Sequence, residues 1–406
     1  MFHVKSPGEA LKLILECCPD VKKEEQIPIL DALGRILSRD VVADSDVPGF
    51  NRSTVDGFAL SARDTFGASE SMPAMLLNVG EVIMGQTPDF SVGKGQCAYV
   101  PTGGELPKGC DACVMVEYTE QYDDGYVYIH EPSAPGKHVV TRASDIKEGQ
   151  IVLERGRTLR AQDIGALTAS GVAEVYVYSK IKVAVMSTGD ELIQPGEKQD
   201  GAKMYDVNSP VIASEMRSLP CEPVLCGVVS DDYDSLLIAA QKAVSSCDVL
   251  VISGGSSVGV ADMTSKIIDD LGGPGVFIHG IAVKPGKPTI VGLAGKVPVF
   301  GLPGHPVSAY FIFKLFVMPL LRKMCGAGDE KKYGVPAKAA SHIPSNHGRE
   351  EYLPVRIIGA DGGYLAQPVM GESGLITTLS SADGYIRISR EKEGIKSGED
   401  VMVYQF

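Results

Sequence analysis

The chain has 406 residues, 44% of them apolar and 22% charged, with a net charge of −13. This composition suits a globular protein of roughly two to four domains and argues against a general nucleic-acid or membrane-surface binder, which needs a basic face. No run of eighteen apolar residues is present to span a membrane, and nine cysteines without an export leader are expected to stay reduced in the cytoplasm.

The first element predicted is a helix over SPGEALKLILEC. Ser6 and Glu9 have capping-box spacing, Pro7 suits the first helical position, and Lys12 and Glu16 interrupt what would otherwise resemble a signal peptide. A second periodic stretch, ILDALGRILSRDVVA, predicts another helix. Residues 141–176 return to helix at RAQDIGALTASG, where Gly171 suits a C-terminal cap. Residues 1–45 and 141–176 are therefore assigned to a helical linker domain, with residues 1–23 free to pack on an α/β domain instead. Residues 46–140 are rich in Gly, Pro, Val and Tyr and predict a β-rich domain. Within it CDAC, Cys110 to Cys113, has redox or zinc half-site spacing, but no second pair follows at zinc-ribbon distance, so packing is expected. The histidines form no HxH or HExxH pattern, which leaves catalytic zinc without a motif.

Residues 177–326 alternate. IKVAVMS, PVLCGVV, DVLVIS, TIVGLA and VPVFGL read as strands. NSPVIASEMRSL (capped by Asn208 or Ser209), DDYDSLLIAAQKAVSSC, DMTSKIIDDLG and the long apolar PVSAYFIFKLFVMPLLRKM read as helices. The alternation predicts a three-layer α/β/α domain with a mostly parallel sheet, and ligands in such folds bind at the carboxyl ends of the strands. Residues 327–406 are short strands broken by glycine and predict a small β-barrel. The fold class is thus α/β multidomain, the α/β/α unit being joined by the helical linker domain and two β-rich domains.

Chemistry is concentrated in VISGGSSVGVADMTSK, residues 251–266. A P-loop fails because Val260 follows Gly259, and in KPGKPT because Pro288 follows Lys287. The dinucleotide fingerprint does not fit the glycine spacing. Gly255 to Gly259 satisfies GxSxG, but the following helix is expected to start only at Asp262. No HGGG segment is present, and His305 has no evident acid partner, so a serine hydrolase is disfavoured. The favoured reading is an anion cradle. Gly254, Gly255 and Gly259 let backbone N–H groups converge, Ser256 and Ser257 add donors, and Asp262 caps the helix or holds a magnesium ion shared with a phosphate. Other strand ends repeat the theme: Thr188, Asp190 and Glu191 in STGDEL; Asp231 and Asp232 in SDD; Lys284 and Lys287 in VKPGKPT; and the rigid corner of Pro303 and Gly304 in GLPGHPVS. In the β-rich domain, VPGFNRSTVDGFAL gathers Asn, Arg, Ser and Thr around Asp56.

Together, PGFNRSTVDGFA, VPTGGELPKGCDACV, STGDEL, YDVNS, SGGSSVGVADMT, KPGKPT and GLPGHPVSA resemble the MoeA family of molybdopterin molybdenumtransferases, which includes the C-terminal domain of gephyrin. The resemblance covers about residues 1–325, and the last eighty residues match more loosely. It implies an L-shaped dimer of four-domain subunits that takes adenylylated molybdopterin, holds molybdate as co-substrate, releases AMP with help from Mg2+ and passes molybdenum to the dithiolene sulfurs. It implies roles for Asp56, Asp145, Glu191 and Asp231 as catalytic acids, with Asp231 and Asp262 near the metal. Thr102, Arg142 and Thr188 would contact substrate, together with the cradle residues and the Pro303–Gly304 corner. Lys284, Lys287, Arg349 and Ser373 would hold molybdate. The pathway's adenylyltransferase would be a partner. The chain departs from the family pattern at Val55, Phe58, His305 and Ala143-Ser144, where Met, Tyr, Asn and Gly-Glu are usual; His305 adds a pH-sensitive donor. Two other functions are weighed: adenylyl transfer, which normally comes as one compact domain, and a gephyrin-like scaffold, which is disfavoured because a fused adenylyltransferase domain and a disordered linker would be expected with it.

Overall fold

A computed structural model describes residues 4–18, 23–254, 258–328 and 333–406, without the side chains of 258–261. The capping box forms as expected: Glu9 accepts the Ser6 N–H at 3.0 Å, and the Ser6 hydroxyl accepts the Glu9 N–H at 3.4 Å, opening the helix Pro7–Cys17. Its Ala10 and Ile14 are buried in the same core as Val183, Val251 and Leu320 of the α/β unit.

ILDALGRILSRDVVA is not a helix. It holds one 3-10 turn, Ile29–Asp31, and a strand, Val41–Val42. Leu30 and Leu33 are exposed, and Gly34 takes a φ of 74°, in the left-handed region. Ile36 and Leu37 are adjacent and both buried, bridging Thr158 and Val177. Pairing across 120 to 140 residues therefore overrides the local helical period. The helix Ala161–Ala169 does form, closed by Gly171, whose φ is 75° and whose N–H donates to Thr168 O at 3.0 Å. The linker region is accordingly short strands plus this helix.

In the β-rich unit six strands run in the order Ala112–Met115, Gly57–Leu60, Gln96–Val100, Ala74–Glu81, Tyr126–Ile129, Thr119–Gln121. Cys113 is buried inside this sheet, and burial pushes its thiol up to about 11 and that of Cys110 up to about 12. Thiols so raised stay protonated near neutrality, which suits packing.

The α/β sheet has the order Cys221–Val229, Ile181–Thr188, Val249–Gly254, Val297–Leu302, Ile290–Ala294, Pro274–His279. Its first four strands are parallel, and Ile290–Ala294 runs antiparallel to both of its neighbours, so that Pro274–His279 points the same way as the first four. Alternate strand residues serve opposite faces. Val183, Val185 and Val251 meet Phe311, Phe313 and Leu320, while Ala184, Met186 and Ile252 meet Leu236, Ala240 and Ile267. The long apolar helix is interrupted by a π-turn, Phe313–Val317, between Pro306–Ile312 and Met318–Met324. Pro319 lies just beyond it and has no N–H to continue the ladder.

The last unit is a closed five-strand barrel. Glu350–Ala360, Gly363–Pro368, Gly334–Ala339, Asp400–Gln405 and Gly384–Ile388 pair in that order, and the first pairs again with the last. The strand Val283–Lys284 adds to this barrel in register with Glu350 and Glu351, tying the lysine turn to it. Phe311 of the α/β unit lies 5.4 Å from the Tyr385 ring and 5.9 Å from that of Tyr352, so the junction is also packed by aromatics.

Candidate functional site

The parallel strands end at one edge, as the alternation predicts, and a cavity of about 720 Å³ opens there. Thr188, buried at the end of its strand, donates its hydroxyl to Asp231 in a short hydrogen bond. Glu191 and Asp231 both line this cavity. Gly254 faces Thr188 across the parallel pair, and a Cβ there would lie 2.3 Å from Thr188 O. Only a glycine lets these strand ends close up.

The helix Asn208–Glu215 is not capped by Asn208 or Ser209. Asp206 accepts the Ser209 N–H at 3.2 Å and the Ser187 hydroxyl at 2.8 Å. That leaves the Asn208 amide to donate to Ser253 Oγ and Gly304 O, each at 2.8 Å, pinning the Pro303–Gly304 corner to the sheet end. Asp206 Oδ2 and Asn208 Oδ1 are buried without a partner in the wall of the cavity. Two such acceptors suit a ligand that brings N–H donors.

The cradle residues Gly255, Ser256 and Ser257 lie outside the described residues, as do the surroundings of Gly259. The helix beyond them runs Val258–Asp270, so it starts four residues earlier than expected, directly after Ser257. That removes one objection to a hydrolase elbow. The others remain: there is no HGGG segment, and His305 faces Ser373 with no carboxylate bonded to it among the described residues. Asp262 is exposed on this helix and lines neither cavity described here.

A second cavity, of about 580 Å³, adjoins the first and is walled by Lys284, Lys287, Arg349 and Ser373. Lys287 is exposed, whereas Lys284 is paired with the buried Glu351 at 2.8 Å. Pro303 and His305 complete the wall, and His305 lines both cavities. Three cations in one concavity suit a small dianion, which an acidic protein can bind only through such local charge.

Asp56, Thr102, Arg142 and Asp145 line neither cavity. All four are exposed, and each is tied to the β-rich unit. Asp56 accepts the Thr102 N–H at 2.7 Å, Asn51 accepts the Arg142 N–H at 2.8 Å, and the Asp145 N–H donates to Val47 O at 3.1 Å. The Arg142 guanidinium is held by Asp46 at 2.6 Å. Ala143 between them has a φ of 60°, in the left-handed region.

Among the described residues no group of three or more His, Cys, Asp or Glu is arranged to hold a metal by itself. Mg2+ does not need one, since it keeps several waters and takes one or two carboxylates plus substrate phosphates. Asp231 fits that donor set. Asp206 and Asn208 were not expected as site residues, and His305 was expected only as an added pH-sensitive donor. YDVNS and GLPGHPVS flagged their positions, but nothing local showed that they meet.

Three family models match: the MoeA N-terminal region (domain I and II) over residues 5–171, a "Probable molybdopterin binding domain" over 184–323, and the MoeA C-terminal region (domain IV) over 336–406. Molybdopterin molybdenumtransferase from Nostoc sp. is 31% identical, covering 98% of this chain and 93% of its own. The protein of that name from Haemophilus influenzae is 30% identical over 98% of each chain. The crystal structure of a molybdopterin biosynthesis MoeA protein from Pyrococcus horikosii superposes with a TM-score of 0.86 at 38% identity, covering 99% of both chains. No helix among the described residues is long and apolar enough to cross a membrane. With its domains matched in order and its fold shared end to end, the chain belongs to the MoeA family.

Proposed function

We propose that the protein inserts molybdenum into adenylylated molybdopterin. The capped pterin occupies the sheet-end cavity and molybdate the cation-lined one, and AMP is released. The carrying observation is that the two cavities adjoin and share His305, one walled by carboxylates and hydroxyls, the other by Lys284, Lys287 and Arg349.

In this reading the buried acceptors of Asp206 and Asn208 take N–H donors of the ligand, and the cradle at residues 254–259 takes its phosphates. Cleavage of the anhydride is hydrolysis: the oxygen of water bonds to phosphorus, the bridging P–O bond breaks, and a carboxylate takes the proton. Glu191 and Asp231 line the cavity in which this occurs, and the Thr188 hydroxyl fixes the Asp231 carboxylate. A divalent ion held by Asp231 would neutralise charge on the phosphate oxygens. Lys287, Arg349 and Ser373 bind the oxyanion, while Lys284 divides its charge between the oxyanion and Glu351.

Asp56, Thr102, Arg142 and Asp145 act in this scheme from a second copy of the chain. Support for a homodimer comes from their exposure and from their absence from both cavity walls of their own chain. The test is incubation with AMP-capped pterin and molybdate. AMP release that depends on molybdate is expected, whereas AMP-capped product formed from ATP would instead establish the adenylyltransferase. Asp56→Ala is expected to abolish turnover with its melting curve unchanged; loss of folding would make Asp56 structural. Mixing Asp56→Ala with Asp231→Ala chains should restore about a quarter of wild-type activity, because half of the dimers then carry one intact site. No recovery would place Asp56 and Asp231 in the same protomer's site.

A further inference from the structure

His305 follows the Gly304 corner and occupies the N-cap position of the helix Pro306–Ile312 without a side-chain bond to that helix. Its ring instead turns to the barrel, with Nδ1 2.8 Å from Ser373 Oγ. The Val307 N–H also donates to Ser373 O at 3.1 Å, so the two segments are held together by backbone as well. Ser373 lines the oxyanion cavity, its neighbour Gly374 lines the sheet-end cavity, and His305 lines both. The pair is the partition between them.

His305 is the one histidine among the described residues walling the two cavities, and histidine is the side-chain type suited to gaining or losing charge near neutrality. Facing it on the sheet-end side are the carboxylates of Glu191, Asp206 and Asp231 and the Tyr205 phenol. On the barrel side are the cations of Lys284, Lys287 and Arg349, the carboxylates of Glu351 and Glu372, and the Tyr352 phenol. Lys284 is already offset by Glu351 at 2.8 Å. A proton on the ring has a second effect. It fixes Nδ1 as the donor to Ser373, so the serine hydroxyl proton is released to bond an anion.

We propose that His305 is a positioning residue that links the two cavities through its charge: as imidazolium it strengthens anion binding in both, so occupancy of one favours occupancy of the other. This rests on the two-cavity reading above. Anion affinity is greatest with the ring protonated and falls as pH rises, because the proton that supplies the charge is lost.

The test is calorimetric titration of the full chain with molybdate at pH 6 and pH 8, with and without AMP, for wild type and His305→Asn. Asparagine can keep a hydrogen bond to Ser373 but carries no charge. Wild type is expected to bind molybdate about tenfold more tightly at pH 6 than at pH 8, the scale of one charge-assisted contact, and the ratio for His305→Asn to fall below twofold. AMP should tighten molybdate binding in wild type at pH 6 and less so in the variant. Any protonation of the oxyanion itself is common to both proteins and cancels in the comparison. Equal pH ratios in the two proteins overturn the role of His305 and leave the cavities' assignment intact. Failure of wild type to bind either molybdate or AMP overturns the assignment itself, and this inference with it.

Discussion

Gly254→Ala is the substitution for which the structure gives the sharpest expectation. The added Cβ would lie 2.3 Å from Thr188 O, 2.4 Å from Thr188 Cγ2 and 3.0 Å from Thr188 N, all on the neighbouring central strand. Ordinary contact begins near 3.4 Å, so the strand ends must part by roughly 1 Å. Overpacking of this kind costs about 1–3 kcal/mol. Displacing Thr188 also weakens its hydrogen bond to the Asp231 carboxylate, a charge-assisted contact worth about 1.5–3 kcal/mol. The α/β unit should lose about 2–5 kcal/mol, which for a unit of that size lowers its melting temperature by about 10 °C. Differential scanning calorimetry with hydrogen exchange over residues 249–254 reads the stability, and calorimetric titration with AMP reads the site. Gly8→Ala is the control, since no atom lies within 4 Å of its added Cβ and the position is helical. It should stabilise by about 0.5–1 kcal/mol. If Gly254→Ala melts and binds AMP as wild type does, close approach of the strand ends is not what holds Thr188 and Asp231 in place.

The two lysines of the PGK turn should separate binding from stability. Lys284→Ala strips the buried Glu351 of its ion pair, leaving only the Ser345 hydroxyl at 2.6 Å, and should cost about 1–3 kcal/mol, while Lys287→Ala should fall within about 0.5 kcal/mol of wild type. Both should weaken molybdate binding, and a thermal melt with and without molybdate distinguishes them; equal melting temperatures would show the Lys284–Glu351 pair to be inert. Ala143→Gly should stabilise by up to about 1 kcal/mol, because a φ of 60° costs alanine roughly 1–2 kcal/mol and glycine's unfolded-state entropy returns part of it. A lowered urea midpoint would contradict this. Asp163 supplies a pH dependence. Burial pushes its carboxyl up, but hydrogen bonds from Arg157 and Arg160 outweigh this and hold it at about 2, below the ordinary 3.8. Its stabilising effect, about 2 kcal/mol, is therefore complete above pH 4 and is lost as pH falls from 3.8 towards 2. Asp163→Asn should flatten that part of the acid unfolding curve.

Local pattern settled much of this protein. The strands of the α/β sheet, the Ser6–Glu9 capping box, the Gly171 cap and the place of the glycine turn at a strand end all follow from short-range sterics and burial, which neighbouring residues report directly. The order and spacing of seven short stretches carried the family. What the linear pattern did not show is each feature made by residues far apart in the chain. Ile36 and Leu37 left a helical period to pair with residues 158 and 177. Lys284 met Glu351 because a two-residue strand joins the barrel. His305 met Ser373, 68 residues away, and became the wall between two cavities. Periodicity records which side of an element is buried but not which element buries it, and that choice is made only when sheets and barrel pack together.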